Sequence, residues 1–208
     1  MLADKLRAAS LSAISVLPVP KVLAVSTTLS PFVSAYSWGS TGFTGSFSSP
    51  ATLPTGVGAD VSFSPDGSAI AVAQTSTPFI SAYPWDISGF GTKYANPATL
   101  PTGNGRGVAF SPDGSAIAVG HAITPYISAY SWSGSGFGTK YANPSTLFTS
   151  AANDLTFSLD GSTVAMAINN SPFIAAYPWS SSGFGTKYLN PTTLPTGNGL
   201  GVAFGKIV

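Results

Sequence analysis

The chain contains no cysteine and no glutamate, and only 7% of its 208 residues are charged, against about a quarter in an ordinary soluble domain. Without cysteine there are no disulfides and no thiol chemistry. Eight lysines and arginines against seven aspartates leave a net charge of +1. They are scattered singly, so there is no basic stripe for nucleic acid or an anionic membrane. No apolar run reaches the roughly 18 residues of a membrane span; the nearest, Ala8 to Val25, is interrupted by Pro18, Pro20 and Lys21. His121 is the only histidine, and no Gly-x-Ser-x-Gly elbow, phosphate loop or cluster of metal ligands accompanies it. The composition therefore predicts no enzyme, no cofactor and no metal site. What is abundant is 23 glycines, 17 prolines, 4 tryptophans, 8 tyrosines and 13 phenylalanines. These suit a sheet-and-turn protein with a hydroxyl-rich, weakly self-repelling surface, the kind that works inside an assembly.

One period organises the chain. Ser64-Pro65-Asp66-Gly67 returns as Ser111-Pro112-Asp113-Gly114 and as Ser158-Leu159-Asp160-Gly161, each 47 residues on. Trp38, Trp85, Trp132 and Trp179 keep the same step, as do Tyr36, Tyr83, Tyr130 and Tyr177. The phase gives repeats at 14–60, 61–107, 108–154 and 155–201, after a leader at 1–13 and before a closing segment at 202–208. Each repeat reads as four short strands, a to d. In the second, a is Val61–Phe63, b Ala69–Ala73, c Phe79–Trp85 and d about Thr92–Ala95. Strands b and c are apolar on both faces, so both faces need cover. Like sheets stacked around an axis supply it, and the alanine face of b permits close approach. The expectation is an all-β propeller of four four-stranded blades, about 16 strands in all, with a helix only in the leader.

The run Val108 to Val119, followed by Tyr126-Ile127-Ser128-Ala129-Tyr130-Ser131-Trp132, resembles WD-repeat-like propeller blades. In that family the Phe-Ser-Pro-Asp-Gly segment links the two innermost strands and a tryptophan ends the third, often before an aspartate. Trp85-Asp86 matches this pair; Trp38, Trp132 and Trp179 lack the aspartate, and the Gly-His pair of the family is missing. Near-identical repeats are similar to those of phage and environmental bacterial proteins, which implies a virion component. The resemblance implies the fold and leaves the function open.

Asp66, Asp113 and Asp160 read as turn formers before glycine rather than metal ligands. The four tryptophans read as packing between blades, with stacking on sugars as the alternative. Lys93, Lys140 and Lys187 sit at equivalent outer-strand positions, where lysine guards a sheet edge. His121 reads as an exposed loop residue. Individuality concentrates in two sets of connections that share one rim: the b–c loops beginning at Ser26, Gln74, His121 and Ile168, and the d–a loops ending in Ala59-Asp60, Arg106-Gly107, Asn153-Asp154 and Leu200-Gly201. Gln74, Arg106, His121, Asn153, Asp154, Asn169 and Asn170 are the candidate partner-binding residues.

Strand a has two imperfect extra copies, Ile14-Ser15-Val16 and Val202-Ala203-Phe204. The second is the better match, so it is expected to pair with strand b at Val22–Ser26 and close the ring, within one chain or through a homodimer. The leader, with Leu2 and Leu6 one helical turn apart, reads as an anchor, a frayed terminus or a weak signal peptide. Together these features predict a structural or interaction protein binding other protein subunits in a virion or at an extracellular surface, or otherwise soluble in the cytoplasm. A carbohydrate-binding propeller is the alternative, with glycans as its ligands.

Overall fold

The computed structural model describes residues 21–206. Fifteen strands form four antiparallel sheets, with no helix among the described residues. The first blade holds β1 (Lys21–Ser26), β2 (Val33–Gly39) and β3 (Gly42–Ser46). The second holds β4 (Gly58–Phe63), β5 (Ala69–Gln74), β6 (Ile80–Asp86) and β7 (Gly89–Phe90). The third holds β8 (Gly105–Phe110), β9 (Ala116–His121), β10 (Ile127–Ser133) and β11 (Gly136–Lys140). The fourth holds β12 (Ala152–Phe157), β13 (Thr163–Ile168), β14 (Ile174–Ser180) and β15 (Gly183–Phe184). This is the expected all-β four-blade propeller, with one strand fewer than sixteen. The leader, the copy Ile14–Val16 and Ile207-Val208 lie outside the described residues.

Turn chemistry builds each blade in the same way. At the a–b turn, Asp66 accepts hydrogen bonds from the Ser64 hydroxyl (2.6 Å) and from the Ser68 N–H (3.0 Å) and hydroxyl (2.8 Å), while Gly67 takes φ +73°. Asp113 and Asp160 repeat this arrangement, so these aspartates shape turns. At the b–c turn, a cis proline precedes an aromatic residue with φ near +68°: Phe32, Phe79, Tyr126 and Phe173. The c–d turn is a tight hairpin with Gly89 opposite Asp86, so strand d begins at Gly89 rather than at Thr92. Strand a likewise starts earlier than its apolar core, at Gly58, across a register shift before Asp60.

Alternate blades differ in strand d. It has five residues in β3 and β11 but two in β7 and β15. The cause lies in strand c. The Trp85 N–H donates to Ser68 on the strand-b side (2.7 Å), so the residue before it faces strand d. That residue is Pro84 in the second blade and Pro178 in the fourth, which have no N–H to give; in the first and third it is Ser37 and Ser131. The molecule is thus a two-blade motif, 94 residues long, laid down twice.

The blades pack face to face. Ile70 and Val72 of β5 join Val33 of the first blade. The opposite face, Ala69, Ala71 and Ala73, receives Val108, Phe110, Ile117 and Val119 of the third. Each buried tyrosine of strand c donates its hydroxyl to the preceding d–a connection: Tyr83 to Thr52 O (2.9 Å), Tyr130 to Thr99 O (2.8 Å), Tyr177 to Thr146 O (2.7 Å). Burial raises all three phenols, Tyr177 to about 12. Tryptophans fill the wedges between blades. Trp132 has edge-on partners in Tyr94, Phe110 and Phe137, and Trp179 in Tyr141, Phe157 and Phe184.

The inner strands follow one another from β1 through β4 and β8 to β12, but no comparable packing joins β12 back to β1 among the described residues. Val202–Phe204 does not form the expected pair with Val22–Ser26 within the chain. Instead the Val202 N–H donates to Asp154 Oδ2 (2.8 Å), and among the described residues β1 pairs only with β2. Over those residues the four blades make an open arc.

Candidate functional site

The rim that carries the b–c and d–a connections holds the seven candidate residues, but not as one exposed cluster. Gln74 and His121 end strands β5 and β9 and are fully buried. The expectation of an exposed loop histidine is therefore corrected. The Gln74 amide accepts from the Ser81 hydroxyl (2.9 Å) and donates to Thr55 Oγ1 (2.6 Å) and Ser76 O (3.1 Å). His121 Nε2 lies 3.1 Å from Ser128 Oγ, while Nδ1 is buried without a partner. Burial of the ring lowers its pKa to about 4, so it is neutral at ordinary pH.

The same two positions in the other blades explain why these residues are tolerated inside. Gln74 reaches Ser81 and His121 reaches Ser128 diagonally across the ladder, and the residues at the same two positions of the repeat are Ile168 and Ala175 in the fourth blade and Thr27 and Ser34 in the first. A buried polar end of strand b goes with a serine on strand c, and an apolar end with alanine. This pairing between repeats is written in the sequence, and it marks Gln74 and His121 as packing residues.

Arg106, Asn153 and Asn169 do come together. Arg106 Nη1 donates to Asn153 Oδ1 (2.6 Å), and Asn153 Nδ2 donates to Asn169 Oδ1 (2.6 Å) and Gly199 O (2.7 Å). This chain of hydrogen bonds joins the third blade to the fourth and to the segment beyond it. Asn170 stands exposed beside it, its N–H held by Ser150 Oγ (2.9 Å). Asp154 turns inward: its carboxylate takes the N–H groups of Leu155 and Val202, both at 2.8 Å. Asp60, one motif earlier, takes those of Val61 and Val108 in the same way. Burial holds the Asp60 carboxyl above its ordinary range despite these donors, and Asp154 adds a smaller push.

Three exposed apolar residues stand in these same loops but were not among the seven candidates: Leu29 (78% exposed), Ile123 (55%) and Leu200 (78%). Lys93, Lys140 and Lys187 donate to Asn96, Asn143 and Asn190 at the outer edge, away from the rim. Among the described residues, no group of three or more His, Cys, Asp or Glu could hold a metal ion, and no helix is long and apolar enough to cross a membrane.

No protein-family model matches the chain. No curated protein matches its sequence. Solved structures do match. The chain is similar to Chaetomium thermophilum Sqt1, a structure with the N-terminus of ribosomal protein L10 bound, at TM-score 0.59 and 19% identity; the match covers 80% of this chain and 44% of that one. It is also similar to Kuenenia stuttgartiensis hydrazine synthase, at TM-score 0.51 and 14% identity, over 69% of this chain and 38% of the other. The chain thus spans less than half the length of either. At these identities the likeness carries architecture only, and that architecture is a β-propeller.

Proposed function

We propose that this chain is a non-enzymatic interaction propeller, a subunit of a virion or extracellular surface assembly, whose b–c and d–a rim holds another protein. The observation that carries the reading is the composition of the rim. Exposed Leu29, Ile123 and Leu200 supply apolar anchors, and the Arg106–Asn153–Asn169 chain beside Asn170 supplies amide and guanidinium donors. Apolar anchors ringed by amides and a single guanidinium suit a peptide segment better than a highly charged ligand. The framework between blades is nearly constant, so differences among the loops are where a partner is told apart. Sqt1 carries a peptide on a fold of the same type, which supports a protein partner in general terms.

The test is a triple change, Leu29→Ser, Ile123→Ser and Asn170→Ala, at exposed positions outside the hydrogen-bond chain. The melting temperature should stay within about 2 °C, while incorporation into the native particle is lost. Unchanged incorporation would reject the rim. Glycan-array binding that disappears with the same changes would replace the protein partner with a carbohydrate.

A further inference from the structure

We propose that the open arc closes with a second copy of itself, head to tail, each copy supplying the inner strand that the other's first blade lacks among the described residues. The outgoing segment, which forms no strand within the chain, is held at its start. Asp154 Oδ2 receives the Val202 N–H at 2.8 Å, just as Asp60 Oδ2 receives the Val108 N–H at 2.8 Å where the second blade meets the third. Gly201-Val202-Ala203-Phe204 repeats Gly107-Val108-Ala109-Phe110 at the two-blade step of 94 residues. It is therefore the inner strand of a first- or third-type blade. The first blade, with Ser37 and a five-residue β3, is of that type and shows three strands. Joining the two keeps the alternation unbroken through the junction.

The exposed side chains at the two ends are counterparts. Leu23 (42% exposed) and Val25 (40%) occupy the positions of Ile70 and Val72, which are fully buried against the preceding blade. Trp38 is 40% exposed because it has only Phe43 beside it. In the interior blades the tryptophan also packs on two residues from elsewhere: Phe47 and Phe63 for Trp85, Tyr94 and Phe110 for Trp132. Continuing those two series in steps of 47 residues, through Tyr141 and Phe157 at Trp179, gives Tyr188 and Phe204, which stand 48% and 38% exposed at the far end. A cleft of about 510 Å³ beside β1, lined by Lys21, Val22, Pro65, Gly67 and Trp85 among others, completes the match. In the interior blades this seat holds the preceding a–b turn: a Cβ added at Gly114 would meet Pro65 and one at Gly161 would meet Pro112, whereas one at Gly67 would meet nothing within 4 Å among the described residues.

Among the described residues one chain does not make the joint itself, because no packing of β12 on β1 matches that between successive blades. The register follows from β4 and β5, where Val61 faces Val72 and Phe63 faces Ile70. Carried over, Val202 of one copy faces Val25 of the other, and Phe204 faces Leu23.

The absence of native cysteine makes the test direct. The Val61–Val72 pair lies between hydrogen-bonded pairs, the closely spaced site where a disulfide fits. The variant Val25→Cys/Val202→Cys, oxidised, should run at twice the 21.0 kDa chain mass on a non-reducing gel. An intrachain disulfide, or two free thiols, would overturn the proposal. Should the variant fold poorly, the native mass of the unmodified full chain decides: two copies support the joint, and one copy at micromolar concentration rejects it. Both measurements use the protein without any other partner, so their failure would leave the rim reading untouched.

Discussion

The first and third blades are the same motif in different company. Both have serine before the strand-c tryptophan and a five-residue strand d, yet β1 is exposed at every second residue while all six residues of β9 are buried. Trp132 is held edge-on by three aromatic rings and Trp38 has one strand-d ring beside it. Sequence makes the sheet, and neighbours make it a core. A blade of this protein is apolar on two faces and cannot bury either alone, so its stability is a property of the stack.

The comparison can be broken most forcefully at the tryptophans. Trp132→Ala should lower unfolding stability by about 3–5 kcal/mol in chemical denaturation. Trp38→Ala should leave the melting of the isolated arc nearly unchanged and instead weaken self-association about 10- to 100-fold by analytical ultracentrifugation, the loss of two edge-on contacts. Equal costs in the isolated arc would mean that the two blades are not in different environments.

The strand-b ends sharpen it next. His121→Ile alone strands the Ser128 hydroxyl in the interior and should cost about 1–3 kcal/mol. Adding Ser128→Ala reproduces the Ile168–Ala175 pair of the fourth blade and should recover most of the loss. The wild type also carries a pH signature. The ring's folded pKa of about 4 lies below its ordinary value of 6.5, so the unfolded chain binds the extra proton between these values. Stability should therefore fall as pH drops from about 6.5 to 4, by on the order of 2–3 kcal/mol, and the double variant should lose that slope.

The turns act in a lower window. The Ser64 hydroxyl, followed by Ser68, holds Asp66 at about 2 against an ordinary 3.8, and Asp160 is held likewise. Their support is complete above the ordinary value and is lost as pH falls through about 2. Asp66→Ala and Asp160→Ala should lose that support at neutral pH and flatten the pH dependence of stability between about 4 and 2, where the wild type loses it. The smallest effect belongs to strand d. Pro84→Ser restores an N–H facing β7 and should extend its amide protection by two or three residues, worth about 0.5–1 kcal/mol.

Blade number, strand order and the a–b turns are legible in the sequence because the period is unbroken and the turns depend on local chemistry at Asp66, Asp113 and Asp160. Strand d was misplaced because its start is set by a two-residue hairpin at Gly89, whereas the β-prone residues lie further on. The rim was half legible. Loop variability located it, and Arg106, Asn153 and Asn169 do meet there. Gln74 and His121 were misjudged because polarity alone does not reveal a serine diagonal to them across the ladder; comparing Ser81 and Ser128 with Ala175 would have. Asp154 was placed on the rim, yet the backbone of the next inner strand turns its carboxylate inward.

Hydrogen–deuterium exchange at two protein concentrations tests most directly that a blade is completed by its neighbours and the first blade by a second copy. Amides of residues 21–26 should be protected at high concentration and exchange markedly faster on dilution, while residues 116–121, enclosed within one chain, stay equally protected at both. Protection of β1 that is independent of concentration, whether strong or weak, would contradict the account.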